Sequence, residues 1–162
     1  MANFQTALAI ILAIIDEHKR VFGTPARGSL IKNVALDKAV EDFYYTAYWL
    51  RNRINEINNQ EVANFAFDMV VNHGRGVMLL NRSVNKVFPG RVTADNKMKD
   101  ATISGINANP GEVYKQMIEV RRAYYQSLAD FDVFGQGWLN RLAKFPAAVM
   151  NFTTDVTASK KK

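Results

Sequence analysis

Two carboxylates stand out by their neighbours. Glu17 closes an apolar run beside Asp16 and is followed directly by His18-Lys19-Arg20. Apolar surroundings and a second carboxylate raise such a pKa, whereas adjacent cations lower it. The first influence would make Glu17 a proton donor near neutral pH, and the second would leave it a solvated helix end. Asp68 sits among Phe65, Phe67 and Met69. It reads either as a hydrogen-bonded aspartate that ties helices together or as a group that positions water or substrate. Asn72 and His73, just before Gly74, either line a groove or finish a helix. Tyr44, Tyr45, Tyr48 and Trp49 offer flat faces for stacking, although aromatics at helical spacing ordinarily pack into a core. The pairs Arg51/Arg53 and Arg121/Arg122 could meet anionic groups, and their default reading is a solvated face.

Other chemistry is excluded by composition. With no cysteine among the 162 residues there is no disulfide scaffold, zinc ribbon, iron–sulfur cluster or thiol nucleophile. The two histidines, His18 and His73, have no spaced partners, so no metal site is expected. No glycine-rich phosphate loop, HExxH helix or GxSxG elbow is present, and no cofactor is expected. The net charge of +6 owes half its value to Lys160, Lys161 and Lys162. The remaining positive field suits an anionic partner, and without a basic stripe a nucleic acid is not expected.

These residues have to be positioned by helices. Asn3 would cap a helix from about Phe4 to Lys19, apolar enough on Leu8, Ile11, Leu12 and Ile15 to be buried centrally. The apolar run Ala7 to Ile15 is about half the length of a membrane span. The start Met1-Ala2-Asn3 lacks a basic n-region, so no signal peptide is expected. After a loop at Gly23 to Ser29, a second helix is predicted from about Leu36 to Asn52, burying Leu36, Val40, Phe43, Ala47 and Leu50. Asn58-Asn59-Gln60 caps a third, with Val62, Phe65, Ala66, Met69 and Val70 on one face. Gly74 and Gly76 break it from a fourth, which carries Val77, Leu80, Val84 and Val87 and stops at Phe88-Pro89-Gly90. A short helix follows at Lys97 to Ile106. Pro110 then opens a long one with Val113, Met117, Val120, Tyr124 and Leu128 on one side. Gly135 and Gly137 precede a last short helix with Trp138, Leu139 and Leu142. Period-two alternation is absent, so the expected fold is all-α, a single domain over 1–150 of six to seven helices, with a polar basic tail at 151–162.

Several short segments in this order resemble a known family. Asn59-Gln60-Glu61-Val62-Ala63-Asn64-Phe65-Ala66-Phe67-Asp68 and Val71-Asn72-His73-Gly74 are similar to segments of the phage-type N-acetylmuramidases, or secretion activator proteins, of glycoside hydrolase family 108. So are Tyr44 with Tyr48-Trp49, Leu79-Leu80-Asn81-Arg82-Ser83-Val84-Asn85, Ile106-Asn107-Ala108, Arg121-Arg122-Ala123-Tyr124-Tyr125 and Gly137-Trp138-Leu139-Asn140-Arg141. The resemblance is best over 36–145 and weakest over 1–35. There the family carries a catalytic Glu-Gly-Gly motif, and Ile15 stands at the glutamate's place with Glu17 two residues on. At Ala94 to Asp100 many relatives have an aspartate-glycine turn that this chain lacks.

The resemblance implies a lysozyme-like helical fold, with peptidoglycan as the partner and other phage or secretion-apparatus proteins as further ones. It implies an endolysin or virion-associated muramidase, in the virion or in the host cytoplasm, with its action at the cell wall. Hydrolysing a glycosidic bond needs a carboxylic acid to protonate the leaving oxygen, usually with a second carboxylate. The implied assignments are Glu17 as a displaced acid, Asp68 as a positioning carboxylate, and Tyr48, Trp49, Asn72 and His73 against the substrate. The alternative is a muramidase-fold protein that has lost hydrolysis and binds peptidoglycan or builds a phage particle or injection device.

Overall fold

The structure is a computed structural model and describes residues 4–147; the basic tail at 151–162 lies outside the described residues. Seven α-helices and no strand occur among the described residues: α1 Phe4–Phe22, α2 Val34–Tyr44, α3 Gln60–Asn72, α4 Gly76–Val87, α5 Asp100–Ala108, α6 Pro110–Ser127 and α7 Phe131–Ala143. The all-α expectation and its helix number therefore hold among the described residues. No described helix is long and apolar enough to cross a membrane. The helices divide into two compact units that meet in sequence at Arg51 and Asn52.

In the first unit α1 packs on α2. Asn33 caps α2, its side-chain oxygen accepting from the Leu36 amide at 3.0 Å. The helix therefore begins two residues earlier than its apolar periodicity indicates. The predicted single helix to Asn52 does not continue as α-helix. From Tyr45 to Leu50 the backbone widens into a π-turn, closed by the Arg51 amide on the Thr46 carbonyl at 3.3 Å. The Thr46 hydroxyl donates back to the Asp42 carbonyl at 2.7 Å, a side-chain competitor for the helical ladder at the place where it loosens. Leu36 and Ala39 are buried as the spacing requires, but Val40 is exposed. The expectation that α1 is buried is corrected. Leu8, Ile10 and Leu12 are 38%, 43% and 52% exposed, because α1 has a single helical neighbour in its unit and one neighbour covers one stripe.

The second unit holds α3 to α7 and a 3-10 turn at Ile54–Glu56. Its core includes Phe65, Met69, Leu79, Leu80, Ile106 and Met117, all fully buried. Each such side chain contributes about 1.5–3 kcal/mol through removal of apolar surface from water. Asn59 caps α3 through the Val62 amide at 3.0 Å, as its position predicts. Gly76 starts α4 so close to the end of α3 that a Cβ there would lie 2.6 Å from the Met69 carbonyl oxygen.

Asparagines hold the connections. Asn81 donates to the Asp95 and Lys97 carbonyls at 2.8 and 3.0 Å and accepts from the Thr102 hydroxyl at 2.6 Å. Asn85 grips both backbone groups of Val92, at 2.7 and 3.0 Å. Asn107 accepts from the Asn58 amide and donates to the Glu56 carbonyl, both at 2.9 Å. The recurring asparagines of the Leu79–Asn85 and Ile106–Ala108 segments thus fasten loops to helices. Two boundaries differ from the sequence reading. α5 starts at Asp100, three residues late, and α7 runs through Gly135 and Gly137 instead of following them. A helical glycine costs about 1 kcal/mol relative to alanine, less than the burial of a leucine such as Leu142 returns.

Candidate functional site

In the second unit the polar residues of three helices converge on one buried guanidinium. Arg121 of α6 is fully buried. Its Nε donates to His73 Nε2 at 2.9 Å, and its Nη2 donates to Asp68 Oδ2 at 2.7 Å and to the Tyr125 hydroxyl at 2.9 Å. The guanidinium lies over the rings of Phe65 and Tyr125, with its carbon 5.3 and 5.4 Å from their centroids. Asp68 of α3 is grasped from its other side by Arg141 of α7, at 3.0 Å from Nε and 2.6 Å from Nη2. Asn72 donates to the Asp68 carbonyl at 2.8 Å and to its carboxylate at 3.2 Å. Tyr125 stacks on Trp138 of α7, with centroids 5.3 Å apart and planes 15° from parallel.

The electrostatics of this cluster oppose proton transfer near neutrality. Burial alone would raise the pKa of Asp68, but the hydrogen bonds from Arg141 and Arg121 outweigh it and hold the carboxyl below its ordinary value. Burial and the adjacent Arg121 charge push His73 down to about 4. An Nε2 that accepts from Arg121 belongs to a neutral imidazole with its proton on Nδ1. Asp68 is therefore an ionised brace joining α3, α6 and α7, and His73 is a neutral acceptor behind it. Asp68, Asn72 and His73 are brought together as the sequence suggested. What assembles is a tie between helices.

Glu17 and the aromatic pair Tyr48 and Trp49 belong to the first unit. Glu17 is exposed on the last turns of α1 and is bound two-handedly by Arg20, at 2.9 Å from Nε and 2.6 Å from Nη2. That hydrogen bonding lowers its pKa, and the little burial it has does not reverse the direction. Glu17 also lines a hollow of about 360 Å³ with Ile14, His18, Phe22 and Lys32. Ile15, at the family's glutamate position, is half-buried. Tyr48 and Trp49 lie in the π-turn, where Tyr48 stacks on Tyr44 with centroids 5.5 Å apart and meets Phe43 edge-on at 6.1 Å. Tyr44 and Tyr45 are exposed.

Arg141, Tyr125 and Trp138 are the members of the cluster that residue spacing did not single out. The default of a solvated face fails for Arg121. Its signal was its phase: it stands four residues after Met117 and four before Tyr125, on the stripe that α6 buries. No group of three or more histidine, aspartate or glutamate side chains among the described residues could hold a metal ion.

Residues 5–74, somewhat less than half of the chain, match the model of a family described as Glycosyl hydrolase 108. The matched segment runs from α1 through α3 and contains Ile15, Glu17, Tyr48, Trp49, Asp68, Asn72 and His73, while Arg121 and Arg141 lie beyond it. No curated protein and no solved structure matches the chain. Over residues 5–74 the chain is similar to the Glycosyl hydrolase 108 family.

Proposed function

We propose that this chain binds peptidoglycan without cleaving its glycan strands, as a wall-directed component of a phage particle or injection device. The family is one of lysozyme-type peptidoglycan hydrolases, which supports the wall as partner. The observation that carries the loss of hydrolysis is the two-handed pairing of Glu17 with Arg20 on an exposed helix surface. A general acid for glycoside cleavage has to keep its proton near neutral pH, and enzymes achieve this with an apolar pocket that raises the pKa. Here the neighbouring guanidinium favours the opposite state. Among the described residues, the carboxylates displaced from their ordinary values are Glu17, Glu56, Asp68 and Asp95, and each is displaced downward.

The aromatic face at Tyr44, Tyr45 and Tyr48 supports binding. Exposed rings suit the apolar faces of sugars, and a π-turn inside a helix often marks a functional position. The hydrolytic reading, with Glu17 as the acid, draws on the hollow beside it. In that hollow, however, Glu17 stays paired with Arg20. Sedimentation with purified sacculi, scored together with release of reducing sugar, separates the two. Pelleting without release is expected. Release that disappears in Glu17→Gln would establish the hydrolytic reading instead.

A further inference from the structure

Ten of the twelve large apolar side chains exposed among the described residues belong to the first unit, and Leu8, Ile10 and Leu12 of α1 are three of them. From Phe4 to Ile15, about 18 Å of helix, α1 carries no charged residue. In its unit α2 alone packs on this helix. Ile11, Ile14, Ile15 and His18 are half-covered and recur at helical spacing, so they mark the side that α2 takes. Beside it runs a strip in which Leu8 and Leu12 stand one turn apart with Ala9 and Ala13 next to them, all exposed. Asp16 continues the line of Leu8 and Leu12 by one more turn; it is exposed and has no ion pair or hydrogen bond from its carboxylate among the described residues. The first turn of α1 holds no acidic residue to complement the positive end of its macrodipole.

The geometry points to a second copy of this chain as the occupant of the strip: two α1 helices pair antiparallel across a two-fold axis, with Leu8 of each copy against Leu12 of the other. Such a contact is its own reciprocal, as a two-fold interface requires. Ala9 and Ala13 add no bulk that would hold the helices apart. Leu8 and Leu12 lie evenly about position 10, so Asp16, six residues beyond it, comes level with position 4 of the other copy. Its free carboxylate thereby meets the positive end of a helix that has no acidic residue of its own there. Parallel pairing would instead set Asp16 against Asp16 and Lys19 against Lys19, and like charges so juxtaposed oppose association. A lipid surface is a poorer match, because helices that lie among headgroups carry Lys and Arg along their polar margin and α1 has none before Lys19. Self-association neither needs nor follows from the wall-binding reading above.

Sedimentation equilibrium of the full chain over a wide range of concentration should show a monomer–dimer equilibrium. The double variant Leu8→Glu/Leu12→Glu puts charge into the apolar contact and should weaken the dimer by at least about tenfold. Both leucines are partly exposed, so its helix content and thermal midpoint should stay near those of wild type. Asp16→Lys should weaken the dimer by about threefold, since it turns an attraction to the partner's helix start into a repulsion. The chain has no cysteine, which makes orientation directly readable. When Leu8→Cys and Leu12→Cys proteins are mixed and oxidised, mass spectrometry should find disulfides joining the two variants in excess over disulfides within either one. A monomer at every concentration, a dimer that the double variant leaves unchanged, or cross-links that prefer like with like would overturn the inference. So would a monomer that floats with phosphatidylglycerol vesicles, which would give the strip to a lipid surface. If the glutamates unfold the chain, the strip is covered within its own copy unless the cross-links between the two cysteine variants still form in excess, and that pattern then decides.

Discussion

Asp68→Asn should destabilise the second unit far more than Arg141→Gln, although both remove one partner of the same ion pair. Asp68 is the carboxylate that faces the fully buried Arg121 at 2.7 Å, and the Arg121 Nη1 already lacks a hydrogen-bonding partner in the structure. Replacing Asp68 by the neutral amide leaves a buried charge without its counter-ion, which costs about 3–5 kcal/mol. Arg141 is 46% exposed, so losing it removes a contact worth at most about 1 kcal/mol and leaves Asp68 still paired with Arg121. Small domains have about 5–15 kcal/mol of stability in all. The first variant should therefore lose a large share of it and the second very little. Urea unfolding followed by Trp138 fluorescence, in a Trp49→Phe background, reports on the stack of Trp138 against Tyr125 and hence on this cluster. The expected result is a marked drop in midpoint for Asp68→Asn with an unchanged slope. Equal losses in the two variants, or less than about 1 kcal/mol for Asp68→Asn, would refute the account of Asp68 as a brace for a buried charge.

Further outcomes follow from the same geometry. His73 has a pKa of about 4 in the fold against an ordinary 6.5, so the unfolded chain takes up a proton first as pH falls. Stability should be complete above about pH 6.5 and decline toward pH 4 by about 3 kcal/mol, a slope that His73→Gln should flatten in urea titrations at several pH values. Gly76→Ala should lower the thermal midpoint through a loss of about 1–3 kcal/mol, because the new Cβ meets the Met69 carbonyl oxygen at 2.6 Å; a midpoint equal to wild type would mean that α4 shifts freely. Arg20→Ala should return Glu17 toward the ordinary carboxylate range in a carbon-13 titration, and no change in its titration would show that the pair does not form in solution.

Much of the framework was legible in the residues. The capping asparagine Asn59, the break between α3 and α4, and the apolar faces of α3 and α4 all follow from local chemistry. The boundary at α2 did not, because the Thr46 hydroxyl and the π-turn after it leave no signature in apolar spacing. The burial of α1 was overestimated because periodicity reports which stripe can be covered and says nothing of how many neighbours cover it. The solvated-face default failed at Arg121 for a related reason. An arginine inside an apolar stripe looks like surface charge until Asp68, His73 and Tyr125 arrive from residues far along the chain. In the segments that carry the resemblance, polar side chains such as Asn81, Asn85 and Asn107 fasten loops to helices.

The most direct test of the central claim is release of reducing ends from purified peptidoglycan between about pH 4 and 9 by wild type and by Glu17→Gln, with bound protein scored in the same pellets. The pH range brackets the ordinary glutamate value and the neutral range in which a raised carboxylic acid works. Reducing ends at the buffer level for both proteins, with both found in the pellet, is the predicted result. Reducing ends released by wild type and abolished in Glu17→Gln would contradict it and make Glu17 the acid of a working muramidase.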